Sequence, residues 1–513
     1  LARYKAYSYD QIKLVPLVFS EQLLPGTFEY ALNHIVDHEL DLSIFLARYK
    51  NDTCGASAYA PALLLKIVFF AYAHGITSSR KIESCCQHNI LFKALSADTV
   101  PHYTTIANFI SGMSEEITPL FRNVLLICDD LGLIGKDMFA IDGCKLPSNA
   151  SKAWSGTHVD LAKKKDKIEK VIGHILKRHR AEDQLSKPSE STEKKRAEQL
   201  KKLRKTSDKI KQFLSENQDR VGTSGKVIKS NITDNQSAKM TSAHGVVQGD
   251  NGIAVADAKH QIVVSAEAIG SGSEHQSLKP QIENDSENFK SIGKEDPQKE
   301  VTLLGDSGFH SEKNMKYLAE EKIDSYIADK RFRKREPRFK SAERHKKPIN
   351  KTKSQTKKSL FKPVDFKMDE RSGRPICPAG NSLYLKNSNI VQDGKTGKRY
   401  MARESDCKAC PIRNNCMREA PTKARQVTFF DGKTEPDQET YTQKMIKKID
   451  SDEGRDIYSQ RMGLIEPVFA NIRSTLRLNR FSLRGQTKVN IQWLLFCITH
   501  NLGKIQRYGL QTT

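Results

Sequence analysis

Apolar and polar positions alternate with different periods along the chain, and each change of period predicts a different element. Up to about residue 135 the apolar residues fall at helical spacing. Pro61, followed by Leu63, Leu64, Ile67, Val68 and Phe70 and closed by Gly75, predicts a buried helix with a proline start and a glycine stop. Ser78 to Gln87 and Thr104 to Ile110 predict two further helices on either side of a break at Pro101. Met138 to Ile141 is a short apolar run ending on Asp142 and Gly143, as a buried strand does at the edge of a sheet. Two amphipathic helices follow, one through Ile168, Val171, Ile172, Ile175 and Leu176, the other through Leu200, Leu203, Ile210, Phe213 and Leu214. A turn at residues 185–192 joins them. From Ile228 the period falls to two: Gly252 to Asp257 and Gln261 to Glu267 predict a hairpin, and Leu278 to Phe289 a helix. Val301 to Leu304 repeats the apolar run and delivers Asp306. Ile465, Val468, Phe469, Ile472 and Leu476 return to helical spacing, and Val489 to Leu502 predicts an apolar core helix.

These elements carry acids in a suggestive order. A lone Asp after an apolar run is usually a turn former, but here the pattern occurs twice, at Asp142 and Asp306, and a third acid, Glu466, rides on a helix. Carboxylates are hard ligands suited to Mg²⁺ or Mn²⁺, and about three of them can hold two ions roughly 4 Å apart for phosphoryl transfer. Asp234 and Asp257 are rival acids, read as structural.

Charge points to the same partner class. The net charge is +23 and the pI about 9.4, a balance that favours a polyanion such as nucleic acid. Residues 330–362 alone hold 15 Lys or Arg against two Glu, too basic to bury a core and suited to gripping DNA backbone. No apolar run is long enough to span a bilayer and no leader is evident, so a cytoplasmic protein without membrane contact is expected. Leu1 in place of Met implies an alternative start codon or a missing N-terminus. Of ten cysteines, four come late. Cys407 and Cys410 have the two-residue gap of a zinc site that Cys377 and Cys416 could complete; free thiols are the alternative.

Segments 139–145, 304–310 and 463–504 resemble the DDE transposases of bacterial insertion sequences, in the subgroup with a helical N-terminal domain and a cysteine cluster before the catalytic Glu. The resemblance implies an α/β fold with an RNase H-like mixed sheet core. It also implies cleavage of element ends and transfer of the freed 3′-OH into target DNA, with Asp142, Asp306 and Glu466 catalytic. Tyr458, Arg461, Glu466 and Arg473 approximate the family's Tyr, Arg, Glu, Lys pattern, with one residue too many between Arg461 and Glu466 and Arg as the final member. Tyr458, Arg461, Arg473, Arg480 and Arg484 are then expected on DNA, with ordinary surface salt bridging as the alternative for the last two. The helices around Pro101 could form a DNA-binding helix-turn-helix.

The expected organisation is a helical domain over 1–135; core segments at 136–147, 221–329 and 451–513; a basic helical hairpin at 148–220; and a basic linker with a cysteine-rich zinc-type insertion at 330–450. Transposon ends and target, both double-stranded DNA, are the expected partners of a homodimer or larger assembly. Two alternatives remain open on sequence: a nuclease of the same fold that does not join strands, and a decayed remnant that only binds DNA.

Overall fold

A computed structural model describes residues 16–49, 51, 57–185, 189–222, 225, 227–242, 245–295, 297–339, 360–392, 395–417, 422–430 and 439–509. Most of the basic run, residues 340–359, lies outside them. The chain divides into two units, residues 1–330 with 445–513, and residues 331–444.

After a short helix, Phe28–His34, the first unit has α1 (Pro61–Ala73), α2 (Ser79–His88), α3 (Tyr103–Ser111) and α4 (Ile117–Asp130). α1 begins on proline, which lacks an N–H that the first turn could not use anyway. Its one charge, Lys66, is buried and pairs with Asp37 at 2.6 Å and Asn33 at 2.8 Å. A short helix, Ile90–Leu95, stands between α2 and α3, so the single tight turn of a helix-turn-helix is not what joins them. Strand β1 (Met138–Pro147) leads into α5 (His158–Leu185) and α6 (Glu190–Glu216), the basic hairpin. Its tip is tied by Arg196 to Asp183 at 2.6 Å and to Glu182, and its base is packed by Leu161, Ile210, Phe213 and Ile232.

Then come β2 (Ala238–Ser242), β3 (Gly245–Asp257), β4 (Val263–Ile269), α7 (Leu278–Ser291), β5 (Thr302–Gly305) and β6 (Ser325–Ile327). They form one mixed sheet in the order β4-β3-β1-β5-β6, with β2 beside the first half of β3. β3 runs antiparallel to β1, while β5 and β6 run parallel to it. The parallel pairing ends at Ile141 opposite Gly305, yet β1 continues along β3 to Pro147. Beyond residue 141, therefore, that edge of β1 has no paired strand among the described residues, up to where the Phe481 N–H donates to the Pro147 carbonyl at 2.9 Å.

Helices α8 (Asp452–Ser459), α9 (Arg461–Ala470) and α10 (Gln486–Lys504) close the unit. α10 is buried on nearly every face because it packs on β4 and also on α1 and α4. Tyr72 of α1 stacks on Phe496 at 4.6 Å, Asn501 bonds both backbone groups of Val263 at 2.9 Å, and Trp493 donates to the Ile253 carbonyl at 2.9 Å. That packing joins the N-terminal helices to the sheet within one unit.

The second unit holds a three-stranded antiparallel sheet of β7 (Tyr384–Gln392), β8 (Lys395–Met401) and β9 (Gln426–Phe430). Phe366, Leu383, Tyr400 and Val427 form its small core together with Cys407 and Cys416. Among the described residues no helix is long and apolar enough to cross a membrane.

Candidate active site

Asp142 and Asp306 each follow the last paired residue of neighbouring parallel strands, so they meet at the open edge of β1. The Gly143 N–H donates to Asp142 Oδ1 at 2.7 Å, and the Gly308 N–H donates to Asp306 Oδ1. Arg461, at the start of α9, is only 7% exposed and ion-pairs with Asp142 Oδ2 at 2.9 Å. Burial pushes the Asp142 carboxyl above its ordinary range; the Arg461 charge opposes this and the nearby Asp306 adds to it. Burial works against the Arg461 cation too, but Asp142 and Tyr458 hold it above its usual value. Tyr458 bonds Arg461, and burial raises its phenol.

Tyr458 and Arg461, expected on DNA, are thus turned inward onto an acid. The physical reason is that an unpartnered carboxylate at a half-buried strand end is costly, and a guanidinium meets it well. Arg473, Arg480 and Arg484 remain exposed. Arg480 Nε donates to the Ser148 carbonyl at 2.9 Å and Arg484 Nε to the Asn149 carbonyl at 2.7 Å, just past the end of β1. The charge of Arg473 reaches Cys144 on β1 and opposes the burial that pushes that thiol up to about 11.

Glu466 is exposed on α9, on a different face from the buried Arg461, Leu464, Ile465 and Val468. Pro467 lies inside α9 and does not start it; the Gly463 carbonyl it would otherwise bond accepts from Gln261 Nε2 at 3.1 Å. The helix then widens over Asn471–Thr475, which changes the phase between Glu466 and Arg473. The rival acids are structural: Asp257 accepts the N–H groups of Gly135, Lys136 and Lys259, and Asp234 those of Gln236 and Gly485.

One acid at the site carries no signal in the pattern. Glu274, in the polar loop between β4 and α7, is only 8% exposed. It accepts from Asn251 Nδ2 at 3.1 Å and pairs with Lys145 at 3.5 Å. Burial raises its carboxyl, Lys145 opposes that, and Asp306 and Asp142 add to it. A loop acid has no periodicity to betray it; only the alternation that puts Lys145 and Asn251 on opposing strands could have hinted at a partner.

In the second unit, Cys377, Cys407, Cys410 and Cys416 all line one cavity of about 20 Å³. Asn381 N–H donates to Cys377 Sγ at 3.3 Å. Burial raises the Cys416 thiol, Arg425 opposes this, and the other three cysteines are near enough to add to it. Among the described residues, however, no three His, Cys, Asp or Glu side chains stand as a ready metal cage, at either the cysteines or the acids.

Two family models match parts of the chain. Residues 376–506 match the transposase DDE domain, and residues 18–112 match the transposase domain DUF772. No curated protein matches the chain. The two matches support a DDE transposase of the insertion-sequence type. A DDE domain implies an RNase H-like fold, with which the mixed sheet is compatible.

Proposed function

We propose that the chain cleaves insertion-sequence ends and transfers the freed 3′-OH into target DNA, with Asp142, Asp306 and Glu466 as its acids. The observation that carries this reading is the delivery of Asp142 and Asp306 by adjacent parallel strands to one open edge, in a chain with two transposase regions. DDE transposases generally use Mg²⁺ or Mn²⁺. The donors suit such an ion: carboxylate oxygens, with the Asn251 Oδ1 beside them, buried and unpartnered among the described residues. The three acids would hold it, and when bound it supplies acidity to water and neutralises charge at phosphorus.

The protein's own groups prepare the site. Arg461 orients Asp142 and opposes the burial that raises its carboxyl, and backbone N–H groups fix one oxygen of each Asp. Arg480 and Arg484, held at Nε, keep further donors for DNA phosphates, and Arg473 adds charge. In the first step, water forms a bond to phosphorus as the bond to the 3′ oxygen breaks, leaving a 5′-phosphate and a 3′-OH. That hydroxyl then attacks a target phosphodiester: a new 3′ O–P bond forms, the target's own 3′ O–P bond breaks, and the proton lost by the attacking hydroxyl balances the one gained by the departing target 3′-OH. Two ends must meet, so two or more copies act on one DNA.

Zinc bound by the four cysteines that line one cavity would be the stabiliser of the second unit. Elemental analysis of the native protein should find one zinc per chain, reduced in Cys410→Ser; zinc-free native protein removes this part. The main reading is tested by incubating full-length protein and Mg²⁺ with DNA carrying both element ends and a target plasmid. Joined product is expected, and Asp306→Ala should lower cleavage on the order of a thousandfold. Cleavage without joining would make it a nuclease, and unaltered cleavage by Asp306→Ala would remove the acid from the chemistry.

A further inference from the structure

We propose that Glu274 is a further carboxylate of this centre and ligates the divalent cation with Asp142 and Asp306. The inference rests on the reading above but adds a residue that the family pattern does not assign.

The side chain is buried although its backbone lies in a polar loop, so the chain has spent desolvation to bring a carboxylate inward. Two glycines make room for it. A methyl built on Gly308, two residues after Asp306, would collide with Glu274 Oε2 and stand 2.8 Å from Asp306 Oδ1. A methyl on Gly143, directly after Asp142, would stand 2.9 Å from Glu274 Oε1. The same side chain therefore fills the space beside both strand-end acids, and its Oε2 lies within about 5 Å of Asp306 Oδ1.

A second observation is independent of the acids. Asn251 is fully buried on β3, gives its Nδ2 to Glu274 at 3.1 Å, and leaves Oδ1 without a partner among the described residues, 2.9 Å from that same Gly143 position. A buried oxygen without a partner among the described residues, beside converging carboxylates, marks a place for a cation. Lys145, at 3.5 Å from Glu274, partly balances the charge meanwhile. Asp142 Oδ2 is engaged by Arg461, and among the described residues the acids do not stand as a formed cage. Glu466, by contrast, is exposed.

Isothermal titration of Mn²⁺ into full-length protein, without DNA, tests this, with the heat lost in Asp306→Asn defining the site. Glu274→Gln should weaken that binding at least tenfold while its melting temperature in EDTA stays close to wild type. Should Glu274→Gln not fold, Glu274→Asp, which keeps the charge and shortens the reach, should show a smaller loss. Unchanged Mn²⁺ affinity in whichever variant folds would overturn the role of Glu274 and leave the function standing. Absence of any Asp306-dependent binding in wild type would overturn both.

Discussion

Asp250 lies on β3, fully buried beside Asp234, with its Oδ2 unpartnered among the described residues. Burial first, and then Asp234, push its carboxyl up to about 7. Below about pH 4 folded and unfolded chains both hold this proton; between there and pH 7 only the folded chain does. Stability therefore falls as pH rises through that window, by up to about 1.4 kcal/mol per unit, and levels above it. Asp250→Asn should be more stable than wild type at pH 8, by up to about 4 kcal/mol, and equal to it at pH 4, as read by urea unfolding at both values. Packing is as exacting nearby. A methyl on Gly252 would stand 2.8 Å from the Trp493 ring, so Gly252→Ala should lose about 1–3 kcal/mol in the same assay. Neither residue could be singled out from sequence, because a buried acid and a close approach depend on what lies across the sheet. Asp142 and Asp306 were legible because each ends an apolar run that forms a strand by itself.

Elements with a strong period were legible throughout: α1, both arms of the basic hairpin, the strands around 252–267 and α10. What the pattern could not give was the facing of α9. Its periodicity made a helix of the right residues, but whether Arg461 or Glu466 looks inward is decided by the unpaired carboxylate at the end of β1, a tertiary effect. This makes Arg461 a positioning residue in the present conformation. Arg461→Ala should raise the apparent pKa of the cleavage rate as Asp142 loses its partner, and should destabilise the fold by about 3 kcal/mol. Arg461→Lys should restore stability better than rate, since a lysine keeps charge without the planar fork. A pH–rate profile unchanged in Arg461→Ala would detach this residue from Asp142's function.

For the whole molecule, the charge of +23 sets how it meets DNA. Each phosphate neutralised contributes about 0.9 to the slope of log affinity against log salt. Replacing exposed Arg473, Arg480 and Arg484 together by Ala should therefore flatten that slope by about 2–3, with little effect on the melting temperature; an unaltered slope would place DNA elsewhere. The cysteine cluster was legible in its spacing, whereas the grouping of the N-terminal helices with the sheet was not, because it depends on α10, hundreds of residues away in sequence. That same dependence bears on how the chain is made. Helices α1 and α4 and strand β4 all await a helix that ends at Lys504, and at about 5–20 residues per second a ribosome takes roughly 20 to 90 seconds to reach it from α1. For that interval the nascent chain exposes apolar surface meant for α10, so it needs chaperone shelter. A message cut short before residue 486 should yield insoluble protein, whatever active-site residues it still encodes.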